Sequence, residues 1–434
     1  MKRIGKKSSK LQQIGPMCPM ESLGEISPWA IVALVSVGLD VLKISGCFSV
    51  KAVMAVAVYI GGLLWLDRKQ TSTRIVKWMG GISHDKLTRL LADDQWHSSG
   101  LMLGLIKLVQ RIGHQGYLII DDTLLPRPRS KKVQGAYWDF DHSLRRNTYG
   151  HRVVVILWSD GFWKIPVAFS LWHKRGFRPK YRTKNEIART LLRWVVTKGI
   201  RPEYVTFDNW YASKENMKLI VQELGLEFVT RLKSNCRLNY QGQNLSARTI
   251  GRRLRRMVRP YQFKDLDVYA RGSVVRMEGL GPVGFAVVKD DLDEAGPSVY
   301  YLLSSTPRLS TREIVRRYKT RWAIEVWFEH LKQYAGGIAH QGRIQVSVEH
   351  HLVFSMLALL TMDWLRQGTN ITIPEAKQIL QRVVLFRTKE GRIAIGTLQP
   401  ALAEDMETID DVKEIIRHQF NRLTPLKINE KLCA

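Results

Sequence analysis

Three acids and a group of bases are the residues whose types and spacing could do chemistry in this chain. Tyr318, Arg321, Glu325 and Lys332 lie in a stretch without Pro or Gly, Tyr318–Lys332, which predicts a helix of about four turns. At roughly 100° per residue these four side chains share one face, while Ala323, Ile324, Trp327, Leu331 and Tyr334 cover the other. A carboxylate ringed by cations and a phenol suits a metal ligand lying beside bound phosphates. An amphipathic helix with solvated salt bridges would show the same pattern, and the stripe alone does not separate the two readings. Two further acidic positions close apolar runs: Asp121 with its neighbour Asp122, and Asp208. A strand-end aspartate is usually a turn or cap residue. Three carboxylates from separate elements, however, can hold two Mg²⁺ ions, because Mg²⁺ prefers carboxylate and water oxygens. Such a pair, about 3.5–4 Å apart, activates a water or 3′-hydroxyl and stabilises the leaving oxygen of a phosphodiester.

The elements that must position these acids follow a recognisable rhythm. Gly116–Thr123 reads as a strand ending on carboxylates, and Gly150–Leu157 and Phe162–Phe169 as a hairpin about Ser159-Asp160-Gly161. An amphipathic helix at Asn185–Lys198, a strand at Tyr204–Asp208, a helix at Ser213–Leu224 and a strand at Glu227–Arg231 come next. That order predicts an α/β fold, a ribonuclease-H-like mixed sheet flanked by helices. The expected division is a helical N-terminal region (1–114), the first part of the catalytic core (115–233), a β-rich insertion (234–306), the rest of the core with the motif helix (307–370) and a helical C-terminal region (371–434). Val346–Trp364 and Ile373–Val384 are the expected late helices.

At 434 residues the chain can bury a large core, and 67 Lys and Arg against 39 Asp and Glu leave a net charge of +28. So large a surplus points to a polyanionic partner, foremost nucleic acid. Four scattered cysteines (Cys18, Cys47, Cys236, Cys433) without C-x-x-C spacing suit a reducing cytosol and argue against structural zinc. Pro28–Leu66 is apolar, but Asp40 and Lys43 interrupt it, and its uncharged run from Ala52 to Leu66 falls short of the ~20 residues of a spanning helix. Ile44-Ser45-Gly46-Cys47 has the form of a lipoprotein cleavage site, yet the same two charges sit where an apolar region belongs. Two buried helices are expected here, with no membrane anchor. The basic helical region up to residue 114, with Arg68, Lys69, Arg74, Lys77 and a short unit at His84–Leu91 and Trp96, suits DNA-end recognition or plain packing equally.

Taken together, Asp121-x-Thr123, Asp208-x-x-Tyr211 and the Tyr318/Arg321/Glu325/Lys332 spacing resemble the DDE transposases of bacterial insertion sequences that carry a Y-R-E-K signature. The β-rich segment between second Asp and Glu is similar too, and the resemblance spans Gly116 to Lys332. It implies a catalytic triad of Asp121, Asp208 and Glu325 binding two Mg²⁺ (or Mn²⁺) ions. Asp121 fits the D-x-T spacing, whereas Asp122 would point to the other side of the strand. Tyr318, Arg321 and Lys332 carry over as ligands of the DNA ends. The resemblance also implies cut-and-paste strand cleavage and joining on double-stranded DNA by a cytoplasmic, nucleoid-associated homodimer. A base-stacking aromatic in the insertion would have to be Tyr261, Phe263 or Tyr269, since 234–306 holds no Trp. The rival readings are a related nuclease that does not join strands and a domesticated, non-catalytic DNA-binding protein.

Other candidates weigh less. Trp172–Lys184 is a basic loop that could track phosphates, and Arg252–Arg256 is a charge run open to solvation or backbone contact. His142, His151, His350 and His351 read as packing or surface residues.

Overall fold

The computed structural model describes residues 28–397, apart from 68–69, 80–81, 93–97, 114, 128–131, 142–143, 264–265, 290–298, 341, 382 and 388–392. Arg68, Lys69, Trp96, His142, Cys18 and Cys433 therefore lie outside the described residues. In chain order the helices and strands are α1 (Pro28–Val41), α2 (Val50–Trp65), α3 (Ser72–Met79), α4 (His84–Ala92), α5 (Ser98–Ile112), β1 (Tyr117–Pro126), β2 (Tyr137–Asp141), β3 (Arg146–Ser159), β4 (Lys164–Trp172), α6 (Lys184–Thr197), β5 (Val205–Phe207), α7 (Lys214–Lys218), β6 (Phe228–Leu232), β7 (Arg237–Tyr240), β8 (Gln243–Ser246), α8 (Ala247–Leu254), β9 (Arg259–Phe263), β10 (Leu266–Met277), β11 (Gly281–Lys289), β12 (Val299–Ser304), α9 (Thr311–Lys319), α10 (Trp322–Gln333), α11 (Gln345–Leu365), α12 (Ile373–Leu380), β13 (Val383–Arg387) and β14 (Ile393–Thr397). The described residues form two compact units: those up to 104, of 125–150 and from 329 on in the first, and those of 105–124 and 151–328 in the second.

The first unit is largely helical. α11 is buried around its whole circumference from His350 to Trp364, as a helix apolar on all sides must be. It packs on α2, α4 and α12. The polar groups this buries are paired. His351 gives its Nε2 proton to the Gly336 carbonyl (2.9 Å), which fixes the tautomer, so its Nδ1 accepts from the Tyr59 hydroxyl (2.8 Å). His350 Nδ1 meets the Leu91 carbonyl at 2.9 Å. Both histidines are packing residues. Among the described residues no helix is long and apolar enough to cross a membrane; the apolar Pro28–Leu66 run becomes α1 and α2, packed on each other. The helix expected over Ile373–Val384 stops at Leu380, and the antiparallel pair β13–β14 follows in place of helix. Val383-Val384-Leu385-Phe386 is a β-branched and aromatic run, which favours strand over helix.

The second unit is a mixed sheet flanked by helices. Its strand order, β4-β3-β1-β5-β6, with β5 parallel to both β1 and β6 and β4 antiparallel to β3, is that of a ribonuclease-H-like core. The described strands of 234–306 continue this sheet, with α8 between β8 and β9. β12 pairs antiparallel with β6, and β11, β10, β7 and β8 extend the same row, with β9 also on β10. Val229, Val268, Ala270, Ala286, Val288 and Leu302 of these strands share one core cluster with Ile314 and Val315 of α9. α9 thus lies across both the early core strands and the late ones.

Candidate active site

β1 runs past its acids to Pro126, so Asp121 and Asp122 sit in mid-strand rather than at a strand end. Gly150 permits that extension, because a Cβ there would meet the Leu125 carbonyl oxygen at 2.3 Å. Asp208 directly follows β5, whose Phe207 pairs with Ile120 of β1, so the two strands bring Asp208 beside the acids of β1. Its Oδ1 accepts the backbone N–H groups of Trp210 (2.9 Å) and Tyr211 (3.3 Å), a turn that aspartate side chains commonly make.

The expected single helix over Tyr318–Lys332 is two helices. α9 ends at Lys319 and α10 begins at Trp322, joined by a tight turn in which the Arg321, Ala323 and Ile324 amides each bond a carbonyl three residues back. The cause is Thr320. Its hydroxyl donates to the Arg317 carbonyl at 2.6 Å and meets the Tyr204 hydroxyl at 3.2 Å, and such back-bonding bends helices. Tyr318 therefore belongs to α9, Arg321 to the turn, and Glu325 and Lys332 to α10. Lys332 stands seven residues beyond Glu325 on the same helix, in the stretch assigned to the first unit.

Arg321 joins two of the acids. Its Nη1 lies 3.4 Å from Asp121 Oδ2 and its Nη2 bonds Glu325 Oε1, while its Nε is buried without a hydrogen-bond partner among the described residues. The Tyr318 ring centre is 5.6 Å from the guanidinium carbon. Burial opposes charge on Arg321, but Tyr318, Glu325 and Asp121 outweigh it and hold the pKa above its usual value.

The neighbours Asp121 and Asp122 have opposite environments. Burial, then the charges of Asp208 and Asp122, push the Asp121 carboxyl well above the ordinary range, against the pull of Arg321. Asp208 is raised as well, chiefly by burial, in spite of its two backbone bonds. Asp122 is the more enclosed of the two, but Lys184 and Arg152 more than offset the effect of burial and lower its pKa. It accepts from Arg152 (2.8 Å), Lys184 (2.9 Å) and the Tyr211 hydroxyl (2.7 Å), so its oxygens are taken. The sequence named no partner for Asp122. Lys184 carried one signal: a cation opening a helix opposes the helix dipole, which suggests a partner elsewhere.

The structure brings Asp121 and Asp208 into electrostatic contact and ties Asp121 to Glu325 through one guanidinium. Among the described residues no three acid, histidine or cysteine side chains converge as a ready-made metal cluster. The donors nonetheless suit a hard divalent cation. They are carboxylate oxygens, and beside Asp121 the charges of Asp208 and Asp122 add to burial in raising its pKa, against the pull of Arg321.

Of the aromatics considered for base stacking, Tyr261 and Phe263 pack against the core cluster. Trp210, two residues after Asp208, is 55% exposed, with Lys184 Nζ 4.4 Å from its ring centre. The basic loop after β4 borders a cavity of about 370 Å³ lined by Lys174, Arg178, Lys180 and Arg182 among others. In the Arg252–Arg256 run Leu254 is buried and the four arginines are exposed.

Compared with known proteins, the sequence matches a family described as DDE superfamily endonuclease over residues 44–276, just over half of the chain and ending before Glu325. No curated protein matches it. Among solved structures it is similar to the Drosophila P element transposase strand transfer complex, with 15% identity and a TM-score of 0.23 over 46% of this chain and 49% of that one. The chain thus covers about half the length of that protein. The extent of the family match establishes that this chain belongs to the DDE superfamily of endonucleases.

Proposed function

We propose that this chain is the transposase of a bacterial insertion sequence: a homodimer in the cytoplasm that binds the element's ends, cleaves there and joins the freed 3′-hydroxyls to target DNA. The observation that carries the reading is the half-buried Asp121, with Asp208 just after the strand paired to its own and Glu325 linked to it through Arg321. The Y-R-E-K spacing and the family membership support it.

Asp121, Asp208 and Glu325 would hold two Mg²⁺ (or Mn²⁺) ions, which when bound clamp the attacking and leaving oxygens of the phosphodiester. The chain's own part is to position. Asp122, locked by Arg152, Lys184 and Tyr211, ties β1 to β3, α6 and the turn that carries Asp208. Arg321 exchanges its carboxylates for a DNA phosphate, which its planar fork can grip with two parallel bonds. Tyr318 backs that guanidinium, and Lys332 adds a point charge on the DNA.

Alanine at Asp121, Asp208 or Glu325 should abolish Mg²⁺-dependent nicking of duplexes taken from the DNA flanking the reading frame, with mobility-shift affinity kept within a few-fold. Nicking at the native rate in any of the three purified variants removes that residue from the site. The family's endonuclease description favours a second reading, cleavage without joining. Precut ends offered to the protein with a target plasmid separate the two, since only a transposase yields joined product.

A further inference from the structure

In the first unit, β2 pairs antiparallel with the opening residues of β3, and its other edge has no strand neighbour among the described residues. One face of this ribbon is aromatic and turned outward: Trp138 is 64% exposed and Phe140 44%. Trp138 pairs with Tyr149, their ring centres 5.8 Å apart. Tyr149 is held in turn by its hydroxyl at the Val133 backbone (3.4 Å to N, 3.5 Å to O), so the face is built in advance. At the tip Leu144, Arg145 and Arg146 are exposed, with the Leu144 amide bonded to Asp141 Oδ1 at 3.1 Å and Arg145 in the left-handed region (φ 50°). Large apolar side chains in so open a position raise no core stability; they mark a contact surface.

We propose that this hairpin is a DNA-binding ribbon, with Arg145 and Arg146 on phosphates and Trp138 and Phe140 against bases or sugars. The proposal rests on the reading that the chain acts on DNA and adds to it a surface outside the acid site. A two-stranded ribbon fits a DNA groove, and inserted apolar side chains wedge between base steps. Charge selects the occupant. A second copy laid on the same face would bring its own Arg145 and Arg146 towards these, whereas a polyanion neutralises them.

The test uses the full chain and a short mixed-sequence duplex without element ends. Arg145→Gln/Arg146→Gln should lower the slope of log affinity against log salt by about two, near 0.9 per phosphate lost. Trp138→Ala/Phe140→Ala should weaken binding roughly tenfold with the slope unchanged. Melting temperatures are measured first, and affinities are compared only where each variant is folded. Wild-type affinity and slope in both variants overturn the proposal. So does loss of a dimer in sedimentation by the aromatic variant with DNA affinity intact, which would make the face a protein interface. Nicking by the wild-type chain is scored separately: altered binding without any nicking sinks the transposase reading and leaves the ribbon standing, while nicking with unaltered binding sinks the ribbon alone.

Discussion

Asp121 and Asp122 differ by one position in a strand, and the fold gives them opposite tasks. The folded-state pKa of Asp121 lies above its unfolded value, so its stabilising effect is fully present below the unfolded value and is lost as pH rises through the folded one. Asp121→Asn should therefore raise the melting temperature by a few degrees near neutral pH in chelator-containing buffer, with the gain closing as the pH falls into the ordinary carboxylate range. An unchanged melting curve at pH 7 would show that burial and the neighbouring acids do not raise Asp121. Asp122 has the reverse sign, with stability present above its unfolded pKa and lost as pH falls through its lowered folded one. Asp122→Asn weakens its links to Arg152 and Lys184 and should cost on the order of 3 kcal/mol in denaturant unfolding. Equal effects from the two asparagines would refute this division of roles. The D-x-T spacing pointed to Asp121, but nothing in the sequence showed that the oxygens of Asp122 would be taken by partners. Its three partners lie 30, 62 and 89 residues away.

At the scale of elements, the motif helix shows where periodicity misleads. Tyr318–Lys332 has helical composition throughout, and the break between α9 and α10 comes from the Thr320 hydroxyl and a Tyr204 more than a hundred residues earlier. Thr320→Val should let the helix run on, moving Arg321 off Asp121, and nicking should fall while duplex binding persists. Another element carries a pH dependence. His351 of α11 is buried and neutral, its pKa lowered from 6.5 to about 3 by burial and then by the charge of Arg127. The unfolded chain takes up a proton there as pH drops through 6.5 and the folded chain does not. Stability therefore declines between about pH 6.5 and 3, by up to ~1.4 kcal/mol per pH unit from this group. His351→Gln, which can still accept from Tyr59 and donate to Gly336, should flatten that decline in urea titrations at pH 5 and 7. Parallel slopes for variant and wild type would exclude His351 as the source.

For the whole molecule the dominant sequence property is a charge of +28, which binding to a polyanion would offset. Affinity for duplex DNA should drop steeply with salt, about 0.9 in logarithmic slope per phosphate neutralised, and a flat profile would contradict the polyanion reading. The sequence by itself determined the run of strands and helices up to the motif stretch, the acids on or just after two of those strands and the spacing on the motif stretch. These depend on alternation, turn residues and local propensity, which act over a few residues. It also marked 234–306 as β-rich, but not that β12 would pair with β6 and prolong the core sheet, because edge pairing is decided between segments about 70 residues apart. Only the tertiary structure decided which aspartate is left with unbalanced charge, where the motif helix breaks, and that one guanidinium spans Asp121 and Glu325. Each of these depends on burial and on partners distant in sequence, and a charge surrounded by protein is governed by the groups that replace its water.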